Sequence, residues 1–209
     1  MDPNLLAKLY PGLMEELEQD TPGDDRAEEL RIETTPSGYP TLLLGGRHVH
    51  SPRDPVREAE RLTGFLRAGD TSGDTSGDTS PSEDSPIVIL GFGLGYGAEA
   101  AAGAAPGRPL IIVERRKSIL RTALKTRDLG PLLGENRLIF VVGGNGAAGG
   151  NGAAGNGAAA VQNALGLFRG KPEIIRNRTL MAADEAWYAA VEQGIRAYLS
   201  RDEVNRATL

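Results

Sequence analysis

The sequence predicts an α/β fold, a Rossmann-like parallel sheet with helices on both faces, preceded by a small helix plus β-hairpin unit. Three apolar runs predict the sheet: "IVIL", "PLIIVE" and "NRLIFVVGG", which begin at Ile87, Pro109 and Asn136. Helical spacing follows the first two runs, and continuous apolar strands that alternate with helices are typical of a parallel sheet covered on both faces. The hairpin is predicted because strand-like residues lie on either side of the turn "PSG".

The small N-terminal unit covers residues 1–69. Leucines at helical spacing predict a short acidic helix over residues 4–19, interrupted at Pro11. The hairpin "LRIETTPSGYPTLLL" follows, and a third short strand is expected over Arg47–His50.

A well-delimited helix ends this unit. Asp54 is a favourable N-cap, Pro55 occupies the first helical position, and Gly69 follows the helix. We expect Ser51 and Asp54 to tie the preceding strand to the start of this helix. The residues expected to form its buried stripe are Val56, Ala59, Leu62, Phe65 and Leu66.

Two low-complexity segments divide the rest of the chain. Residues 70–85 hold all but the first glycine of the repeat "GDTSGDTSGDTS", which begins at Gly69, and are predicted to be a flexible linker. The Rossmann-like domain covers residues 86–209 and contains a glycine- and alanine-rich insert at 143–160. The chain stops at "DEVNRATL" without a helix cap, which suggests a piece of a longer protein. The elements expected after the insert are a helix over Val161–Phe168, a strand near Glu173–Ile175 and a helix over Ala183–Ser200.

Composition narrows the function classes. The formal net charge of −5 disfavours a nucleic-acid partner. The absence of cysteine rules out disulfides and thiolate chemistry, and the N-terminus lacks the pattern of a secretory signal. No apolar run approaches the roughly 20 residues that a membrane-spanning helix needs. We therefore expect a cytoplasmic protein that does not insert into a membrane.

The glycine loop "GFGLGY" is the main candidate site. Gly91, Gly93 and Gly95 follow a predicted strand and precede a predicted helix, where backbone N–H groups can face an anionic ligand. Glu114 ends the next strand, a position that commonly accepts hydrogen bonds from ribose hydroxyls. Tyr96 replaces the last glycine of the dinucleotide pattern and either stacks on a ligand or closes the loop. The candidate ligands are a nucleotide, a sugar nucleotide or S-adenosylmethionine, and a purely structural turn is the alternative.

Other candidates are weaker. His48 and His50 would share one side of a strand, but the chain holds no further histidine or cysteine to complete a metal site, so no metal is expected. Asp54 or Glu58 are the carboxylates nearest to them in sequence. The basic segment that starts at residue 115 is interpreted as a solvated helix face. Its basic residues are Arg115, Arg116, Lys117, Arg121 and Lys125.

Several segments in order resemble the motility accessory factor (Maf) family of bacterial flagellin glycosyltransferases. "HSPRDPVREAERL" is similar to that family's "HS-x-x-DP-x-x-EA" segment, and it likewise follows a hairpin and precedes "GFGLGY" and a strand that ends "IIVE". The closing "NRATL" resembles the entry to the segment that joins this region to the family's catalytic domain.

The resemblance implies the N-terminal domain of an enzyme that transfers nonulosonic acids, such as pseudaminic or legionaminic acid, from a CMP-activated donor to Ser or Thr of flagellin. The family's catalysis is assigned to a later domain, so no catalytic residue is carried onto this chain. Flagellin and a downstream catalytic domain are the implied partners. A methyltransferase-like enzyme that uses S-adenosylmethionine and a non-catalytic flagellin-interaction module remain the alternatives.

Overall fold

The predicted α/β class is confirmed in a computed structural model of the chain. The structure describes residues 10–18, 30–67, 84–134, 137–143 and 153–207. A four-stranded parallel sheet flanked by helices forms the main body, and a three-stranded antiparallel sheet packs beside it. No helix in these ranges is both long and apolar enough to cross a bilayer.

The antiparallel sheet contains the predicted hairpin. Strand β1 (Leu30–Thr34) pairs with β2 (Pro40–Leu44), which pairs in turn with β3 (Arg47–His48). The leucines of β2 are buried, whereas most of β1 is exposed. Strand β3 ends two residues earlier than predicted. Beyond it the Thr41 hydroxyl, rather than a backbone amide, donates to the His50 carbonyl at 3.2 Å.

Two helices belong to the same unit. Helix α1 (Pro11–Glu18) begins at Pro11; of the residues predicted to precede it in the helix, Tyr10 is not helical and residues 4–9 lie outside the described ranges. Helix α2 (Pro55–Thr63) has the predicted cap, because Asp54 Oδ1 accepts the Arg57 N–H at 3.0 Å.

The predicted buried stripe of α2 is correct only in part. Ala59 and Leu66 are buried, but Leu62 and Phe65 are 45% and 46% exposed. The α-helix tightens into a 3-10 turn over Gly64–Leu66, so the helical spacing that placed Phe65 inside no longer applies there.

The parallel sheet is built from all three predicted apolar runs and the later strand. Its strands are β4 (Ile87–Leu90), β5 (Leu110–Glu114), β6 (Leu138–Val142) and β7 (Glu173–Arg176), in the order β6-β5-β4-β7. Strands β4 and β5 are buried throughout, as expected for the centre of a covered sheet. The helices of this domain are α3 (Tyr96–Ala104), α4 (Lys117–Thr126), α5 (Gly130–Leu133), α6 (Ala153–Leu165), α7 (Arg178–Ala183) and α8 (Glu185–Ala207).

The second low-complexity segment is not a plain insert. Helix α6 begins at Ala153, inside the predicted insert 143–160, and ends at Leu165 rather than Phe168. Its small residues allow close packing on α8, because a Cβ at Gly157 would lie 2.6 Å from Trp187 Cζ2. A Cβ at Gly194 would likewise lie 2.9 Å from the Ala158 carbonyl oxygen. The small residues of this segment therefore allow α6 and α8 to pack closely together.

The last predicted helix is interrupted near its start. Asp184 separates α7 from α8, and its carboxylate accepts the Arg116 Nε–H at 2.7 Å. The interruption places the Asp184 side chain beside the beginning of α4, a contact that the helical spacing does not indicate.

The two predicted units share one hydrophobic core. Leu42 and Leu44 from the antiparallel sheet, and Val49 just after it, belong to the same buried cluster as the strands of the parallel sheet. The division at residues 1–69 and 86–209 stays a prediction. Of the predicted linker 70–85, all but Asp84 and Ser85 lies outside the described residues.

Candidate functional site

The glycine loop connects β4 to α3, and all three of its glycines have left-handed backbone angles. The φ values of Gly91, Gly93 and Gly95 are 86°, 57° and 86°. A Cβ at Gly93 would lie 2.3 Å from His50 Nε2, and one at Gly95 would lie 2.9 Å from the Phe92 ring. A Cβ at Gly91 would lie 2.9 Å from the Asn177 Cβ. Glycine is therefore needed both for the backbone angle and for tight packing by the protein's own side chains.

The N–H groups of the loop bond to acceptors inside the protein. Phe92 and Gly93 donate to Glu114 Oε2 at 2.9 and 3.4 Å, and Leu94 donates to His50 Nε2 at 2.8 Å. The Gly91 and Gly95 amides donate to the backbone carbonyls of Val113 and Phe92. Three backbone donors of the loop are thus bonded to a carboxylate and an imidazole of this chain and are not free for a ligand.

Glu114 lies at the end of β5 as predicted, and its carboxylate turns toward the loop. The residue is 1% exposed, and its Oε1 accepts the Arg116 N–H at 3.0 Å. Burial raises the pKa of Glu114 to about 7, against the lowering effect of the backbone N–H groups of Arg116, Phe92 and Gly93. In this arrangement the carboxylate organises the loop, and a bond from Glu114 to a ribose stays a prediction.

Tyr96 is enclosed by protein groups. Its hydroxyl donates to the Pro40 carbonyl at 2.7 Å, and its ring packs edge-on against His50 with centroids 5.2 Å apart. The Arg127 guanidinium lies 3.9 Å from the ring centroid. Burial raises the pKa of Tyr96 to about 12. Of the two roles considered for Tyr96, these contacts favour closing the loop against the antiparallel sheet.

The two histidines do not share a strand. His48 ends β3, whereas His50 lies beyond it, 7% exposed and bonded to the glycine loop. Burial, followed by the charge of Arg127, lowers the pKa of His50 to about 3. Within the described ranges, no three His, Asp or Glu side chains are grouped so that they could hold a metal ion.

The interpretation of the basic segment as a solvated face is wrong for its first turn. Lys117 is buried, Arg116 pairs with Asp184, and the Arg115 guanidinium lies 5.9 Å from the centroid of the Trp187 ring. The two residues that precede α4 contact Asp184 and Trp187 at the start of α8, which the spacing of charges along the segment does not reveal. Lys125, in the last turn of α4, is exposed as predicted.

A cavity of about 400 Å³ lies beside the loop. It is at the carboxyl ends of β4 and β7, where the strand order reverses, because β5 pairs with the opposite edge of β4. Open α/β sheets bind ligands at such switch points. Besides Gly91 and Tyr96, charged and polar residues absent from the predicted site line it. They are Glu58, Arg61, Arg176, Asn177, Arg178 and Thr179.

Sequence reasoning missed these residues for a physical reason. Arg176 ends β7 and residues 177–179 follow it, which is a recognisable signal, but their relevance depends on β7 pairing with β4 rather than with β6. Arg61 comes from a helix of the N-terminal unit, and only the packing of that unit brings it to the switch point.

Comparisons with known proteins identify a similar fold and no sequence family. No family model and no curated protein sequence matches the chain. Among solved structures, a Maf glycosyltransferase from Magnetospirillum magneticum AMB-1 is similar, with a TM-score of 0.55 and 16% identity over 91% of this chain. The match covers 34% of the glycosyltransferase, so this chain spans about a third of its length. Spermidine synthase from Thermotoga maritima has a TM-score of 0.47 at 16% identity, covering 81% of this chain and 50% of that enzyme.

Proposed function

We propose that this chain is the N-terminal, non-catalytic domain of a bacterial Maf-type flagellin glycosyltransferase. Its role is to support a downstream catalytic domain that transfers a nonulosonic acid from a CMP-activated donor to Ser or Thr of flagellin. The ordered segments "HSPRDPVREAERL", "GFGLGY" and "IIVE" support this proposal. The structural similarity to a Maf glycosyltransferase supports it as well, since it extends over 91% of the chain and so includes much of the N-terminal unit.

The non-catalytic part of the proposal rests on the glycine loop, whose backbone donors are already bonded to side chains of this protein. A loop that binds a nucleotide presents backbone N–H groups to phosphate oxygens. Here Phe92, Gly93 and Leu94 donate to Glu114 and His50 instead. Both acceptors are buried, so a ligand would have to displace them from the core. The loop thus acts as a structural junction between the two sheets.

Two measurements test this proposal. Disruption of the coding sequence in the bacterium that carries it should lower the intact mass of flagellin by whole nonulosonic acid units and impair motility. The purified chain, given a CMP-activated nonulosonic acid and flagellin, should leave the flagellin mass unchanged. An unaltered flagellin mass after disruption argues against the family role, and robust transfer by the purified chain argues against the non-catalytic role.

A flagellin-interaction module is the second candidate, and the exposed apolar side chains of the hairpin favour it. Ile32 on β1 is 41% exposed and Tyr39 at the turn is 44% exposed, so both side chains are accessible to a protein partner. Because the unit shares a core with the parallel sheet, substitutions are a cleaner test than deletion of residues 1–69. Ile32→Glu and Tyr39→Glu should abolish capture by immobilised flagellin, while Leu167→Glu, at an exposed leucine outside the hairpin, should not. Equal capture by all three variants contradicts the hairpin as the contact.

A methyltransferase-like enzyme is the third candidate. The glycine loop and Glu114 do follow adjacent parallel strands, which is the arrangement such enzymes use. Titration calorimetry with S-adenosylmethionine and S-adenosylhomocysteine distinguishes this candidate. We expect no heat of binding, and a saturable heat would replace the support role with an enzymatic one.

A further inference from the structure

We infer that the cavity between α2 and the β7–α7 junction binds a small organic anion, a compact apolar body that carries one phosphate or carboxylate group. The cavity adjoins the glycine loop and shares Gly91, Phe92 and His50 with it, but the ligand would use donors that the loop does not bond, so the site does not depend on the proposed function. The inference rests on the lining of the cavity and, in the part of the chain that the structure describes, on a helix without a side-chain cap, on the Nδ1 atom of His50, which has no hydrogen-bond partner, and on two arginines without ion pairs.

The cavity has the size and lining of a small-molecule site. Its volume of about 400 Å³ lies in the range of ~300–1,000 Å³ that is typical for ligand pockets. Much of its lining is apolar, from Val49, Ala59, Ile89, Phe92 and Ile175. An apolar body is therefore favoured over a fully hydrated ion, because it releases water from these side chains.

Helix α3 contributes backbone donors at the cavity. It is nine residues long, and no side chain caps its N-terminus. Gly97, in its first turn, lines the cavity. The first N–H groups of a helix have no partner inside the helix and carry a partial positive charge. An anionic group at this end of the cavity would supply acceptors for them.

His50 provides the second, independent sign of a ligand. It lines the cavity at 7% exposure, and its Nε2 accepts the Leu94 N–H, so the neutral imidazole carries its proton on Nδ1. No residue in the described ranges accepts a hydrogen bond from Nδ1. His50 Nδ1 is not one of the fully buried atoms without a hydrogen bond, so it keeps contact with the open space of the cavity, where an oxygen of the ligand would accept its N–H.

Arginines dominate the charge of the lining. Arg61 and Arg178 make no ion pair with any residue of the described ranges, whereas Arg176 is paired with Glu192 at 2.8 Å. Glu58 also lines the cavity, but it accepts the Ser51 N–H at 2.6 Å. Two unpaired guanidinium groups at a cavity with one bonded carboxylate favour an anion over a cation.

Neighbouring polar residues hold the wall in place and leave the arginines available. Asn177 donates to the Val49 carbonyl at 3.1 Å and accepts the Leu180 N–H at 3.2 Å. Thr179 donates to the His48 carbonyl at 3.1 Å. These bonds join the start of α7 to the antiparallel sheet, so the cavity wall is formed before any ligand arrives.

Phenyl phosphate is the probe for this inference, with benzyl alcohol as its uncharged counterpart. Amide chemical shifts of the ¹⁵N-labelled chain should move saturably with phenyl phosphate at Gly91 and Gly97, and benzyl alcohol should bind more weakly. In the double variant Arg61→Gln/Arg178→Gln the affinity for phenyl phosphate should fall by about tenfold or more. A tenfold loss of affinity corresponds to roughly 1.4 kcal/mol, and each lost hydrogen bond to a charged group contributes about that much.

Controls separate this site from general attraction of anions. Arg53→Gln removes an exposed charge that does not line the cavity, and it should leave the affinity unchanged. Arg61 and Arg178 are also exposed, so the single variants should fold and each should show part of the loss. Absence of a saturable shift at Gly97, or equal affinity in the double variant and in Arg53→Gln, overturns the inference. Neither result bears on flagellin glycosylation, which is measured separately.

Discussion

The contact between Gly93 and His50 is a direct test of how the glycine loop is held. In Gly93→Ala the new Cβ would lie 2.3 Å from His50 Nε2, far inside van der Waals contact. An alanine at φ +57° costs about 1–2 kcal/mol, and forcing extra volume into a packed site costs about 1–3 kcal/mol. Displacement of His50 also leaves the buried Leu94 N–H without its acceptor, at about 1–3 kcal/mol. Together these terms predict a loss of roughly 3–6 kcal/mol, allowing for partial relaxation.

Gly38→Ala is the matched control for this variant. Gly38 has a φ of +83°, yet a Cβ there would meet nothing within 4 Å. It should therefore lose only the backbone cost of about 1–2 kcal/mol. Guanidinium unfolding, followed by circular dichroism, measures both changes in the free energy of unfolding. If Gly93→Ala loses no more than Gly38→Ala, the loop is not packed against His50 and the reasoning on its occupied donors is refuted.

Three further predictions concern His50, Tyr96 and the α6–α8 contact. The folded state lowers the pKa of His50 from 6.5 to about 3, so between these pH values the imidazole is protonated in the unfolded chain and neutral in the folded one. The contribution of His50 to the free energy of unfolding is therefore complete above pH 6.5 and declines as the pH falls. NMR titration of the imidazole should find His50 neutral down to pH 5, and a midpoint near 6.5 would contradict its burial. Tyr96→Phe removes the 2.7 Å bond to the Pro40 carbonyl and should cost about 1 kcal/mol in chemical unfolding, while an unchanged stability argues against that bond. Gly157→Ala should destabilise the chain and alter the fluorescence of Trp187, because the new Cβ would lie 2.6 Å from the indole. Gly103→Ala, in open space on α3, should instead stabilise the chain by about 0.5–1 kcal/mol. A stability change of the same sign in both variants would count against the close contact between α6 and α8.

Local pattern was enough to predict the strands and several helices, but not α5, α7 or the first part of α6. The three apolar runs became β4, β5 and β6, and the "PSG" turn lies in the hairpin between β1 and β2. Asp54 caps α2 through a bond to a residue three positions away, so the sequence contains both partners of that bond. Periodicity and capping depend on neighbours within a few residues, and a single sequence carries that information in full.

Spacing along the chain did not reveal which side chains accept the hydrogen bonds of the candidate site. The positions of Gly91, Gly93, Gly95, Tyr96 and Glu114 in a strand–loop–helix context were predictable, and the positive φ values agree with that context. The acceptor of the Leu94 N–H is His50, 44 residues away, and the acceptor of the Tyr96 hydroxyl is Pro40, 56 residues away. Such pairings depend on how two sheets pack together, which no local pattern encodes.

By itself, the sequence determined the strands, most helices, the hairpin and the position of the glycine loop, because each follows from contacts between residues close in the chain. Tertiary structure alone decided that Glu114 and His50 occupy the donors of that loop. It also decided that β7 pairs with β4, and so placed Arg178 and Arg61 at one cavity. Those outcomes follow from burial and long-range hydrogen bonding, because buried polar groups that are far apart in the chain form hydrogen bonds with one another when the core packs.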